Sequence, residues 1–229
     1  SYSFDGYTNG SVTIPDDAYR WAKGEAINGG GAGSKLKILK PLDWYAVSDH
    51  AEYLGIFKKM EDPSSQASKI DMAKRVLSKD QVIAFSAYSE VLAALARGEA
   101  ILELVNPSIN QTIWQEVVKT ADAHYMPGKF TTFPAFEWTS HPGSRNLHRV
   151  VLFENSKNLP QTPFSVLDSD RPEDLWAWMG KQRENGATLI AVAHNGNASD
   201  GLMFPEEISY GGSTMSKEYA QTRMLNEPL

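Results

Sequence analysis

The chain has 229 residues, 41% hydrophobic and 22% charged, which suits one α/β domain with a sizeable core. A net charge of −6 without a run of like charges gives a nucleic-acid backbone no electrostatic grip, and no window approaches the roughly 20 apolar residues of a membrane span. Cysteine is absent, so any metal site must be built from His, Asp, Glu and water, while the cellular compartment stays open.

The polar opening SYSFDGYTNGS carries neither a targeting segment nor a first strand, and with the ending at NEPL it predicts a piece of something longer. IPDDAYRWAKGEA predicts a helix, with Pro15 and two acids in its first turn. INGGGAGSKLKIL predicts a glycine-rich turn feeding a short strand. It is not a phosphate loop, because Ser34 separates Gly33 from Lys35 and the strand–loop–helix order is missing. LDWYAV predicts a buried strand, closed by SDHAEYLG. Helices are predicted over Ser64–Ser78, Tyr88–Arg97 and Ser108–His124, the last from the apolar repeat Ile109, Ile113, Val117 and Ala121.

FPAFEWTSHPGSRNLHRVVLF predicts a β-hairpin with HPGS at its turn. Glu137 and His148 then stand equally far from the tip and face each other, with Cβ atoms roughly 5 Å apart. A loop over Asn155–Phe164 follows, then a helix in RPEDLWAWMGKQREN, an apolar strand in GATLIAVAHNGNASDG and a last helix in SKEYAQTRML. Apolar strands alternating with helices predict a mainly parallel sheet covered by helices.

The strand ends carry the chemistry. LDWYAV runs into Ser48, Asp49 and His50; TTFPAF runs into Glu137; TLIAVA runs into His194. Parallel α/β folds gather functional residues at the carboxyl ends of their strands, and His148 joins the same end across the hairpin. Taken singly, a histidine after a strand is an ordinary hydrogen-bonded residue, Glu137 an ion-paired carboxylate, and Asp49 a cap for the next turn. Taken together, imidazoles and carboxylates without thiols suit zinc, manganese or iron, with a carboxylate free to bridge two ions. His124, at a helix end, and His141, at the hairpin tip, read as surface residues.

In that order, AVSDHAEYLG, EWTS…NLHRVVLF and AVAHNGN resemble the PHP (polymerase and histidinol phosphatase) superfamily of metal-dependent phosphoesterases. SFDGYTNGSVTIPDDAYRWAKGEA is similar to the start of a bacterial branch of unknown function, and the resemblance runs over the whole chain. It implies an α/β fold, an incomplete distorted (βα)7-type, TIM-like barrel, as a single domain over residues 1–229. It also implies up to three divalent metals at the carboxyl ends of the strands. By position, His50, His148 and His194 match imidazole ligands, Glu137 the carboxylate that bridges two ions, and Asp5 a ligand that family members supply as His or Asp. Asp49 precedes a ligand and is a candidate to orient it or a water. The family's first motif, His-X-His, is expected just before Ser1, and its last acidic-X-His motif beyond Leu229.

The resemblance therefore implies a hydrolase acting on a small phosphorylated substrate, with Asp49 and His50 as candidate catalytic residues and a divalent metal (Zn, Mn or Fe) as cofactor. Without the two outer motifs, the chain itself is expected to bind at most one or two ions, weakly, and to hydrolyse phosphate esters poorly. Arg145 and Arg149 are weak candidates for phosphate contact. Two rivals use the same residues: a glycoside hydrolase with Asp49 and Glu137 as its carboxylate pair, and a non-catalytic binding module.

Overall fold

The computed structural model describes residues 1–29 and 33–228. The chain folds as a mixed α/β domain around a four-stranded sheet of order β3-β4-β5-β6. These strands are β3 (Trp44–Val47), β4 (Thr131–Trp138), β5 (Arg149–Phe153) and β6 (Leu189–Ala193). β3 and β4 pair in parallel, whereas β4–β5 and β5–β6 are antiparallel. The expectation of a mainly parallel sheet thus needs restating. Three strands run one way, but one reversed strand between β4 and β6 leaves a single parallel pair, and the sheet is open.

β4 is the pivot. Its first half, Thr131 to Pro134, pairs with β3, and its second half, Ala135 to Trp138, pairs with β5. Pro134 has no N–H to donate, and it sits where the pairing changes sides, which is where an interior proline is tolerated. The parallel register then resumes past β3. Glu137 N donates to Asp49 O, Ala51 N donates to Glu137 O, both at 2.9 Å, and His50 stands opposite Glu137.

The helices are α1 (Phe4–Thr8), α2 (Pro15–Ala22), α3 (Ile56–Met60), α4 (Asp71–Val76), α5 (Gln81–Ala96), α6 (Pro107–His124), α7 (Pro172–Glu184) and α8 (Lys217–Asn226). The polar opening therefore contains a helix that its composition did not suggest. The helix predicted over Ser64–Ser78 breaks at Ile70, whose extended ψ of 158° separates a 3-10 turn from α4. α5 begins earlier than predicted because the Asp80 side chain accepts from Val82 N and caps it. The glycine-rich turn links two short paired strands, β1 (Ile27–Asn28) and β2 (Lys35–Leu36), and its residues 30–32 lie outside the described residues.

The main core lies on one face of the sheet. Phe136, Trp138, Val151, Phe153, Leu189 and Ala191 pack against Trp114 and Val117 of α6 and Leu175, Trp176 and Met179 of α7. Burying such a side chain contributes about 1.5–3 kcal/mol. A second cluster gathers Phe57, Met60, Met72, Ala87, Val91 and Leu104 from the helices between β3 and α6. Gly55 lets the SDHAEYLG turn enter α3: its φ is 75°, and a Cβ there would collide with Ile113 of α6.

The other face of the sheet differs from expectation. The buried strand predicted in LDWYAV is an edge strand with Trp44 58% exposed, and on β6 Ile190 and Val192 are 39% and 44% exposed. Trp44, Phe133, Leu152 and Ile190 line an open apolar hollow of about 530 Å³ on this side. An all-apolar strand implies two covered faces, but among the described residues the helices pack on one.

Candidate metal centre

Side chains alternate along a strand, so position parity decides which face each residue joins. Trp44, Phe133, Leu152, Ile190 and Val192 lie on the open face. Continuing the same alternation to the strand ends places His50, Glu137, His148 and His194 on that face too. The candidate residues thus crown the open face of the sheet at one end.

The hairpin does not set them in the predicted pairing. Glu137 is opposite Val150 and Trp138 opposite Arg149, so His148 aligns with Thr139 and meets Glu137 on the diagonal. The tip is wider than a tight turn: a 3-10 turn at Pro142–Ser144 is closed by Leu147 N donating to Ser140 O. The contact survives the shift, because a diagonal neighbour is still within reach of a long side chain.

Three donor atoms converge, all within 4.8 Å of one another, from Glu137, His148 and His194. His148 Nδ1 lies 3.0 Å and His194 Nε2 3.1 Å from the same oxygen, Glu137 Oε1. Ligands at about 2.0–2.1 Å from a tetrahedral zinc stand roughly 3.3 Å apart, so the trio needs only a small expansion to admit an ion. Two imidazoles and a carboxylate are also a donor set that divalent transition metals accept. His148 Nε2 and His194 Nδ1 are buried without hydrogen-bond partners among the described residues.

Asp5 and His50 form an adjoining pair. His50 Nε2 lies 3.3 Å from Asp5 Oδ2, again a spacing that one cation spans, and His50 Nδ1 lies 3.7 Å from Glu137 Oε1. Asp5 reaches the site because α1 is tied down beside it. Tyr2 N and Ser3 N each donate to Asp49 Oδ1 at 3.0 Å, and Ser3 Oγ donates to the same oxygen while accepting from His50 N.

The electrostatics follow from this crowding. Burial pushes the Glu137 carboxyl up, but hydrogen bonds from His148 and His194 outweigh it and hold the group at about 2. A hydrogen bond to Glu137 raises His194. Burial pulls His50 down, yet the Asp5 hydrogen bond and the charges of Glu52 and Glu137 push it up to about 10. Asp5 is lowered: burial pushes it up and the His50 hydrogen bond more than offsets that. Such concentrated perturbation marks functional sites more often than ordinary surface.

Asp49 holds the amino-terminal segment beside His50. Its Oδ1 is taken up by the amino-terminal segment and its Oδ2 is sealed from solvent without a partner among the described residues. Neither oxygen is presented to a ligand, which removes the geometric basis for pairing Asp49 with Glu137 across a sugar. Arg149 is also engaged elsewhere. It is 1% exposed, its Nε donates to Glu227 Oε1 at 2.8 Å, and its guanidinium lies over Trp138. It is not available to a phosphate. Arg145 Nε donates to Pro142 O at 3.1 Å and remains near the hairpin tip.

Two histidines read as surface residues part company. His141 is half-buried, whereas His124 is 8% exposed, stacked on Tyr19 and 2.7 Å from Asp16 Oδ1. Glu52 was missed altogether. It is wholly buried, and burial raises its carboxyl to about 8. The signal was an acid inside the apolar run Ala51–Phe57, where nothing exposed would be expected.

Comparison with curated proteins and with solved structures gives no match. One family model matches, over residues 1–229. The chain belongs to the family it describes, the protein of unknown function DUF3604.

Proposed function

We propose that this chain carries the metal site of a metal-dependent hydrolase, a phosphoesterase of the PHP type acting on a small phosphorylated substrate. The observation that carries the reading is the meeting of His148 and His194 on one oxygen of Glu137, with Asp5 and His50 alongside. On this reading the open apolar face below the cluster is the inside of an incomplete, distorted barrel whose carboxyl end holds the site.

Glu137, His148 and His194 would hold one divalent ion, and Asp5 with His50 would share in a second, with Glu137 between them. A divalent cation bound there supplies Lewis acidity, which activates water and offsets charge on a phosphoryl group. Glu137 stays ionised well below neutral pH, so it presents a full negative charge to a cation. His194, whose side chain is 31% exposed, lies on the most open side of the trio, and Arg145, whose guanidinium is held near the hairpin tip, is the remaining candidate for phosphate contact.

The test is ion content, followed by hydrolysis. The chain is stripped with chelator, reloaded with zinc or manganese, and analysed for bound metal. Three donors for one ion and two for another predict one ion held firmly and a second held loosely. Slow, chelator-sensitive release of p-nitrophenol from p-nitrophenyl phosphate, lost in Glu137→Ala, supports the phosphoesterase reading. A chain that retains no ion overturns it.

A further inference from the structure

Beside the ion site lies an open cleft of about 560 Å³, walled by α1, α3, α4 and α5 and by the loop that follows α1. Small-molecule sites occupy about 300–1,000 Å³, so the size fits a ligand. Two geometric links join the cleft to the metal residues. Thr8 and Asn9, which line it, stand three and four residues after Asp5 and so share its face of α1; the cleft begins one turn beyond that carboxylate. A row of rings makes the second link. Between centroids, Phe4 lies 5.6 Å from His50 and 6.1 Å from Tyr88, and Tyr88 lies 6.5 Å from Phe85.

The lining limits what can enter. Lys58 is the one cation among the lining residues, and its Nζ lies 2.6 Å from Glu61 Oε2. The other oxygen of Glu61 accepts from the Tyr7 hydroxyl at 3.0 Å. Charge on this wall is thus neutralised, and a second phosphate finds no free cation among the described residues. Asn9 and Gln81 bring exposed amides instead. Phe85, 69% exposed, presents a ring that the described residues leave open. An uncovered phenyl beside amides suits a neutral ring bearing hydroxyls: its C–H face packs on the aromatic, and its hydroxyls meet the amides. The Phe85 and Tyr88 rings are inclined at 55°, so they do not form the parallel walls between which a flat base stacks.

We propose that this cleft is the subsite for the organic part of the substrate, and that the substrate is a monosaccharide phosphate. The proposal rests on the metal reading above and deepens it by naming the substrate class. The phosphoryl group sits at the ions, and the sugar ring lies along α5 toward Gln81 and Phe85. From Tyr88 back to Gln81 the helix rises about 10 Å, which sets the length of wall open to the ring.

Glucose 6-phosphate, ribose 5-phosphate, adenosine monophosphate and inorganic phosphate are titrated by calorimetry into the manganese-loaded chain. The parent is compared with Phe85→Ala and Gln81→Ala, both at exposed positions, and melting temperature and bound manganese are measured for each. The expected result is that at least one sugar phosphate binds the parent more tightly than inorganic phosphate does. Each variant should weaken that sugar phosphate about three- to tenfold, the worth of one contact, and leave inorganic phosphate and manganese unchanged. A chain that holds manganese but binds sugar phosphates no better than phosphate overturns the proposal alone. So do variants that lose inorganic phosphate and sugar phosphate together, the mark of a merely structural role. Adenosine monophosphate binding more tightly than either sugar phosphate, through Phe85, overturns it too, by giving the cleft to a base. A parent chain that retains no manganese overturns the metal reading and this proposal with it.

Discussion

His148 and His194 stand opposite each other just before the start of β5 and just past the end of β6, with His194 N donating to His148 O at 3.2 Å, and both rings reach the same oxygen of Glu137. Backbone pairing thus sets two imidazoles at one height, and the third strand supplies the charge between them. Glu137 is the only carboxylate of the trio, so it does what neither histidine does: it offsets an ion's charge.

Glu137→Ala should therefore remove more bound metal than His148→Ala or His194→Ala. The expected outcome is a stoichiometry lower by at least one ion, with the loosely held ion weakened as well. If Glu137 only paired with histidines for stability, the variant would melt earlier and bind metal as before. Metal titration of the three variants separates the two.

The pH dependence follows from the same contacts. His50 and His194 are both raised in the metal-free chain, His50 to about 10, yet a ligating imidazole must be neutral. Ion binding at neutral pH should release protons, and affinity should fall as pH falls, by about tenfold per unit for each proton displaced. In the metal-free chain the sign for stability is the reverse. A raised His50 stabilises fully below its unfolded value of about 6.5, and that contribution is lost as pH rises through about 10. Saturating zinc should flatten this loss in a melting series from pH 6 to pH 10. Calorimetry in two buffers of different ionisation enthalpy counts the protons, and a count of zero would contradict the assignment of His50 and His194 as ligands.

The placement of His50, Glu137 and His194 at strand ends was legible because each follows an apolar run, and the run reports where a strand leaves the core. The register of the hairpin was not. HPGS marks a turn, but the Ser140–Leu147 closure around it moves Glu137 from His148 to Val150, and composition does not encode that width. His124 looked like a helix-end surface residue because its partner, Asp16, is 108 positions away and arrives only when α2 docks on α6. The openness of one sheet face was equally invisible, since Trp44, Ile190 and Val192 are apolar whether or not anything covers them.

Arg149 offers a test of stability against function. With Glu227 it forms an ion pair that is nearly sealed, and Trp176 Nε1 donates to the same carboxylate oxygen at 2.8 Å. Arg149→Ala leaves the buried Glu227 with Arg223, 3.1 Å from its other oxygen, as its remaining cation, so the loss should fall below the roughly 3–5 kcal/mol of a fully uncompensated buried charge. Arg149→Met together with Glu227→Gln should recover most of that. Chemical denaturation of the single and double variants measures it. An Arg149→Ala chain of unchanged stability and weakened phosphate binding would restore Arg149 as a substrate contact.

Asp49 tests whether the amino-terminal segment positions Asp5. Its Oδ1 holds Tyr2 N, Ser3 N and the Ser3 hydroxyl, and the Ser3 hydroxyl in turn holds His50 N. Without that oxygen, buried donors lose their acceptor, at about 1–3 kcal/mol, and α1 is free to carry Asp5 away from His50. Asp49→Ala should melt earlier, exchange the Tyr2 and Ser3 amides faster, and weaken the loosely held ion as much as Asp5→Ala does. The ion at Glu137, His148 and His194 should stay, because none of its donors depends on that segment. Asp49→Asn, which keeps an acceptor in place, should fall between Asp49→Ala and the parent in both respects. A direct chemical role makes the opposite forecast: Asp49→Asn would abolish turnover while melting, amide exchange and both ion affinities stayed as in the parent.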